Sequence, residues 1–266
     1  MPYAINPSDG VRTYYEDAGG SGPPVLFYAG FFEPLESAQA SGLARVLSNE
    51  FRLVFADHRG HGRSDKPHDV DAYALSKRVA DATAVLDQLG IERAHFIGIS
   101  WGARLGFAVG EHAPNHLLSL VLCGNQPYEW DLESPLARAV SDAIAASERS
   151  GMAAFVETFE SALDYTFPEA LRTWTLENDP VALDAAFRSV RTEGAISRDL
   201  TKWQVPCLIY AGSSDEMHDD AERAASEIPR ARFLSLPGHT HLSAPDEVDE
   251  LLPYVLDLLH SAGPEG

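Results

Sequence analysis

Six short runs of apolar residues, rich in β-branched and aromatic side chains, punctuate the chain at residues 25–28, 51–56, 94–99, 118–123, 207–211 and 232–236. Runs of this length bounded by turn residues are the signature of strands buried on both faces. Between them the spacing changes. Leu75, Val79, Ala82, Leu86 and Leu89 recur at alternating intervals of four and three, which lays one apolar stripe along a helix that Gly90 stops. Strands alternating with such helices predict an α/β fold with a mainly parallel central sheet flanked by helices.

The alternation breaks once. Residues 126–202 carry helical patterns and no convincing strand. Pro135 and Pro168 stand near helix starts, Asp179-Pro180 reads as an N-cap followed by a first-turn proline, and Gly151 and Gly194 read as helix stops. Four short helices are expected. Their apolar residues, among them Leu136, Val140, Phe155, Phe159, Leu183 and Phe187, suffice to cover a neighbouring surface but not to fold alone. The expected organisation is a core built from residues 1–125 and 203–266 with a helical cap inserted at 126–202. Ser261 to Gly266 reads as a frayed end.

Composition narrows the function classes. In 266 residues, 45% are hydrophobic and 23% charged, ordinary globular usage rather than that of a disordered chain. The formal net charge is -20, so the mean field repels phosphate backbones and anionic headgroups, which argues against nucleic acid and membrane partners. That charge by itself reads as a solvated surface and says nothing of a substrate. Cys123 and Cys207 each adjoin an apolar run and suggest buried thiols, not a disulfide framework. The opening residues lack the basic and apolar segments of a secretory signal, so a cytoplasmic address is expected by default.

The strongest chemical signal is Gly98-Ile99-Ser100-Trp101-Gly102, which follows the strand-like 94–97 and precedes a helical stretch. This is the context of a nucleophile elbow, where small residues on both sides let a strand turn sharply into a helix and expose the serine hydroxyl. The helix beginning there also aims its first amides at the point where a reacting carbonyl becomes negative. A serine hydroxyl needs a base to take its proton and an acid to orient that base. Asp215, at the end of the turn Ala211-Gly212-Ser213-Ser214-Asp215, suits the acid; its alternative, shared with Glu216, His218, Asp219 and Asp220, is to cap the next helix. The base belongs in Leu236-Pro237-Gly238-His239-Thr240-His241-Leu242, between the last strand and a helix expected to start near Pro245. Both histidines lie there, and both cannot occupy one position beside Ser100.

Together with Asp57-His58-Arg59-Gly60-His61-Gly62-Arg63-Ser64-Asp65, these segments resemble the α/β-hydrolase superfamily over nearly the whole chain, closest to its cap-bearing esterases, enol-lactonases and carbon–carbon bond hydrolases. The resemblance implies the α/β-hydrolase fold. Its L-P-G-x-x-H register selects His241 as the base, whereas its G-H register selects His239; we take His241. It places the oxyanion hole at the backbone N–H of Trp101 and one from the loop Tyr28-Ala29-Gly30-Phe31-Phe32, with Phe31 favoured over Phe32. This chain departs from the family in carrying Ala29 where a histidine usually stands, which removes one prop of that loop. The resemblance also makes the 57–65 segment a structural turn, so that His58 and His61 are not read as metal ligands. Phe32, with Phe31 and Trp101, is a candidate pocket residue by position; Trp130 and Trp174 are aromatic candidates without a positional argument.

The expected function is therefore hydrolysis of a small-molecule carboxylic ester, lactone or thioester through an acyl-enzyme on Ser100, a reaction that needs no cofactor. Alternatives are carbon–carbon bond hydrolysis, or a non-hydrolytic binding or rearrangement protein on the same fold.

Overall fold

The computed structural model describes residues 2–263; residues 264–266, the end of the tail read as frayed, lie outside it. The strands are β1 (Tyr3–Ile5), β2 (Arg12–Gly19), β3 (Pro24–Tyr28), β4 (Arg52–Ala56), β5 (Ala94–Ile99), β6 (Leu117–Cys123), β7 (Cys207–Gly212) and β8 (Ala231–Leu236). They form one eight-stranded sheet in the order β1-β2-β4-β3-β5-β6-β7-β8. All pairs from β4 to β8 are parallel, and β1 and β2 join antiparallel at one edge.

The helices are α1 (Leu35–Ala40), α2 (Gly42–Leu47), α3 (Leu75–Gln88), α4 (Trp101–His112), α5 (Pro135–Ser150), α6 (Met152–Leu163), α7 (Glu169–Leu176), α8 (Pro180–Ser189), α9 (His218–Glu227) and α10 (Val248–Ser261). Because side chains alternate along a strand, the parallel strands feed two cores. Leu26, Val54, Phe96, Leu120 and Ile209 meet α3, α4 and α9 on one face. Val25, Leu53, Ile97, Val121 and Leu208 meet α1, α2 and α10 on the other.

All six apolar runs are strands. The sheet has two more, β1 and β2, where Glu16 and Asp17 interrupt the apolar pattern and only Thr13, Tyr14 and Tyr15 of β2 are buried. The stripe on α3 is as expected and Gly90 follows its end with φ 65°, but Arg78 and Asp81 are buried beside it. The last helix begins at Val248, not near Pro245, which sits in a single 3-10 turn, Ala244–Asp246.

Between β6 and β7 the chain contributes α5–α8 and no strand. Ser134 caps α5 by accepting from the Ala137 amide at 3.2 Å, with Pro135 in the first turn. Asp179 caps α8 by accepting from Val181 and Ala182 at 2.9 and 3.2 Å. Gly151 closes α5 with φ 81°. The apolar faces of these helices form a third cluster that includes Phe31, Phe32 and Trp101 from the sheet's edge. Glu193, just beyond α8, is buried against Arg78 of α3 and Arg104 of α4, which ties this segment to the core.

Candidate active site

Ser100 stands between β5 and α4 with φ 49° and ψ -108°. Such a conformation is costly for a residue with a Cβ and persists only where its surroundings impose it. Here the Ser100 amide donates to Cys123 O at 2.8 Å, and the flanking glycines allow the approach. A Cβ on Gly98 would lie 2.3 Å from Gly102 O, and one on Gly102 would lie 2.3 Å from Tyr28 O.

The turns after β7 and β8 interlock beside this elbow. Ser214 donates to His239 O at 2.9 Å, and a Cβ on Gly212 would meet that same oxygen at 2.1 Å. The result is a continuous chain of side chains. Ser100 Oγ donates to His241 Nε2 at 2.9 Å, and His241 Nδ1 donates to Asp215 at 3.0 Å from Oδ2 and 3.2 Å from Oδ1. Asp215 is buried and also accepts the Met217 amide at 3.0 Å, so it serves the following helix as well as the imidazole. His239 is elsewhere, its Nε2 3.5 Å from Glu247.

Electrostatics favour charge separation along this chain. Burial opposes a charged Asp215, yet attraction to His241 and the Met217 amide hold its carboxyl below the ordinary carboxylate value. Burial likewise opposes the imidazolium of His241, but Asp215, with Glu216 and Glu33 beyond it, raises the ring above its ordinary value.

Trp101 is the first residue of α4, and Phe31 follows β3 in the neighbouring loop. Neither amide donates to a protein acceptor among the described residues. The loop lacks the histidine prop, and its carbonyl does the holding instead: Ala29 O accepts from Gly102 N at 3.1 Å and from His58 Nε2 at 3.0 Å. Burial pushes His58 well below its ordinary value and His61 down to about 4, so both are neutral; His61 Nδ1 donates to Arg59 O at 3.1 Å. Among the described residues no group of three or more His, Cys, Asp and Glu is placed to hold a metal ion.

Above Ser100 lies a cavity of about 310 Å³ between the sheet's edge and α5–α8. Phe31, Phe32, Trp101, Trp130 and Trp174 all line it. Phe32 has φ 56°, and its ring stacks on Phe167 at 5.6 Å, while its carbonyl accepts from Asn178 Nδ2 at 2.8 Å. Sequence reasoning passed over Asn178, Glu33 and Asn125. Asn125 donates from Nδ2 to Ser100 O at 3.0 Å and accepts from Trp130 Nε1 at 3.2 Å. Its place two residues beyond β6, at the carboxyl edge where sites form on parallel sheets, was the available signal.

A fluoroacetate dehalogenase from a Burkholderia species is 29% identical over 251 residues, covering 83% of this chain and 82% of the relative. A non-heme haloperoxidase of Rhodococcus erythropolis is 29% identical over 264 residues, covering 91% and 93%. The crystal structure of the enol-lactonase from Burkholderia xenovorans LB400 superposes with a TM-score of 0.82 at 22% identity, covering 97% of this chain and 100% of that one, a likeness of fold. Among the described residues no helix is long and apolar enough to cross a membrane. Residues 23–248 match the family described as the alpha/beta hydrolase fold, and with an eight-stranded, mostly parallel sheet carrying a serine at its elbow, the chain belongs to the α/β-hydrolase superfamily.

Proposed function

We propose that the protein is a serine hydrolase that cleaves a small-molecule carboxylic ester, lactone or thioester through an acyl-enzyme intermediate. The observation that carries this reading is the unbroken hydrogen-bond chain Ser100–His241–Asp215 at the floor of the cavity. Ser100 Oγ attacks the carbonyl carbon while its proton passes to His241 Nε2, and Asp215 keeps the ring in the tautomer that can receive it. Negative charge then grows on the carbonyl oxygen. The free amides of Phe31 and Trp101 are suited to donate hydrogen bonds to it, each such donor contributing about 3 kcal/mol in comparable sites. His241 returns its proton to the departing alkoxide or thiolate. Water, activated by the same ring, then attacks the acyl-enzyme and releases the acid.

Residues 126–202 act in this reading as a lid that supplies one wall of the pocket. A cavity of about 310 Å³ fits a small molecule, not a polymer.

The test combines a fluorophosphonate probe with a panel of esters, lactones and thioesters of graded chain length. Wild type should be labelled and Ser100→Ala should not, with turnover of at least one substrate class. An unlabelled wild type would favour the binding reading, and labelling without turnover of any panel member would point to carbon–carbon bond cleavage.

A further inference from the structure

The cavity's charge is one-sided. Its charged lining consists of Glu33 and Asp246, with His241 of the hydrogen-bond chain, and includes neither lysine nor arginine. Asp246 lines the cavity while remaining exposed, which marks it as a residue of the mouth, where salt screens it. Glu33 stands deeper. It follows directly on the Phe31-Phe32 loop, and one carboxyl oxygen accepts a hydrogen bond from Ser37 Oγ. The other oxygen, Oε1, accepts none among the described residues. It has a seat: a Cβ on Gly30 would come within 2.8 Å of Oε1 and 3.9 Å of Ser100 Cβ, so the glycine makes room for the carboxyl on the nucleophile's side of the loop. Burial, with the Asp246 charge adding to it, raises Glu33 above its ordinary value despite the Ser37 bond.

Most of the remaining wall is aromatic or aliphatic, so a charge brought inside is poorly hydrated and must find its partner in the protein. A carboxylate-bearing substrate would find no lysine or arginine along that wall, and Glu33 and Asp246 would repel it. An uncharged acyl chain meets the aromatic wall at no such penalty. An ammonium group meets both ring faces and the open oxygen of Glu33, the two partners that suit an organic cation. We propose that this pocket selects its substrate by charge, taking uncharged or ammonium-bearing acyl groups and rejecting carboxylate-bearing ones, with Glu33 as the residue that sets the selection. This rests on the acyl-transfer reading of the site and narrows it.

The experiment compares three phenyl esters of matched length: the hexanoate, the 5-(trimethylammonio)pentanoate and the adipate monoester. In wild type, kcat/KM for the adipate monoester should lie at least tenfold below that for the hexanoate, and the ammonium ester should match or exceed the hexanoate. Glu33→Gln, which keeps shape while removing charge, should shrink the hexanoate-to-adipate ratio at least tenfold. A carboxylate ester turned over as well as the neutral one, or a ratio that Glu33→Gln leaves in place, overturns the proposal. A second arm needs neither turnover nor a change at Glu33: Ser100→Ala protein is titrated with the three matching ketones, in which CH2 replaces the ester oxygen. The anionic ketone should bind at least tenfold more weakly than the neutral one, and equal binding also overturns the proposal. Retention of that binding order with no ester hydrolysed would sink the hydrolase reading alone.

Discussion

Replacing Gly102 by alanine tests whether the elbow and the neighbouring loop form one rigid unit. The added Cβ would lie 2.3 Å from Tyr28 O, 2.8 Å from Ala29 O and 2.9 Å from Tyr28 C, all backbone atoms that cannot rotate aside. Restoring ordinary contact requires β3 and the start of the next loop to retreat by about 1 Å, at a cost of about 1–3 kcal/mol for an overpacked site. For a chain of this size that corresponds to a fall in Tm of roughly 2–6 °C. The activity should suffer more. The atoms that retreat lead directly into Gly30-Phe31, and a 1 Å misplacement of a group that must meet the transition state costs about a hundredfold in rate. Thermal unfolding by circular dichroism and kcat/KM on the best panel ester should therefore separate, with a folded protein about a hundredfold less active. Gly42→Ala is the control. Its Cβ would meet only a methyl of Val248, at 2.8 Å, which a side-chain rotation relieves, so it should keep near-normal activity. A Gly102→Ala protein with Tm and kcat/KM both within error of wild type would refute the reasoning.

Further outcomes follow from the same site. Asp215→Asn should lower kcat by about four orders of magnitude with the fold retained, since an amide beside Nδ1 favours the wrong tautomer; near-normal rates would point to another carboxylate. His241→Ala should lose several orders of magnitude in kcat, whereas His239→Ala, which removes only a ring near Glu247, should lose far less; the reverse ranking would transfer the base's role to His239. Because Asp215 raises His241 and the ring must be neutral to accept the Ser100 proton, activity should fall as pH drops through that raised value. The acid limb of kcat/KM should lie above the ordinary imidazole value of 6.5, and a midpoint below it would contradict the pairing with Asp215.

The parts legible in the sequence were those where one residue type answers one local demand. The inner parallel strands announce themselves because burial on both faces leaves few polar positions, such as His95 of β5 and Ser119 of β6. The elbow does so because backbone packs against both Gly98 and Gly102, which fixes their identity whatever else varies. Strand β2, second from the sheet's edge, was not legible, since its C-terminal half is largely exposed and its residues are free to be Glu16 or Asp17. Arg78 escaped the helical pattern for the opposite reason. It is buried under Trp101, its guanidinium 4.4 Å from the ring centroid, and is paired with Glu193, a partner 115 residues away that no local window contains. Glu33 and Asn178 were invisible on the same grounds. Asn178 has meaning only through Phe32, 146 residues earlier, and Glu33 through the His241 and Asp246 that the return loop after β8 brings to it.

The bond from Asn178 to Phe32 O bears on how freely this enzyme can be rebuilt. Phe32 keeps a left-handed backbone beside Phe31 while its ring lies among Phe155, Phe159 and Phe167, so both ends of the residue are fastened by the inserted helices. The insertion is thus no interchangeable part. A chimaera that received another family member's helices between β6 and β7 would inherit a loop shaped for partners it no longer had, and the residue free to relax would be the neighbour of Phe31. Exchanging the segment between β6 and β7 to alter the pocket therefore requires carrying Asn178 and the three phenylalanines along, or replacing the 29–33 loop in the same step.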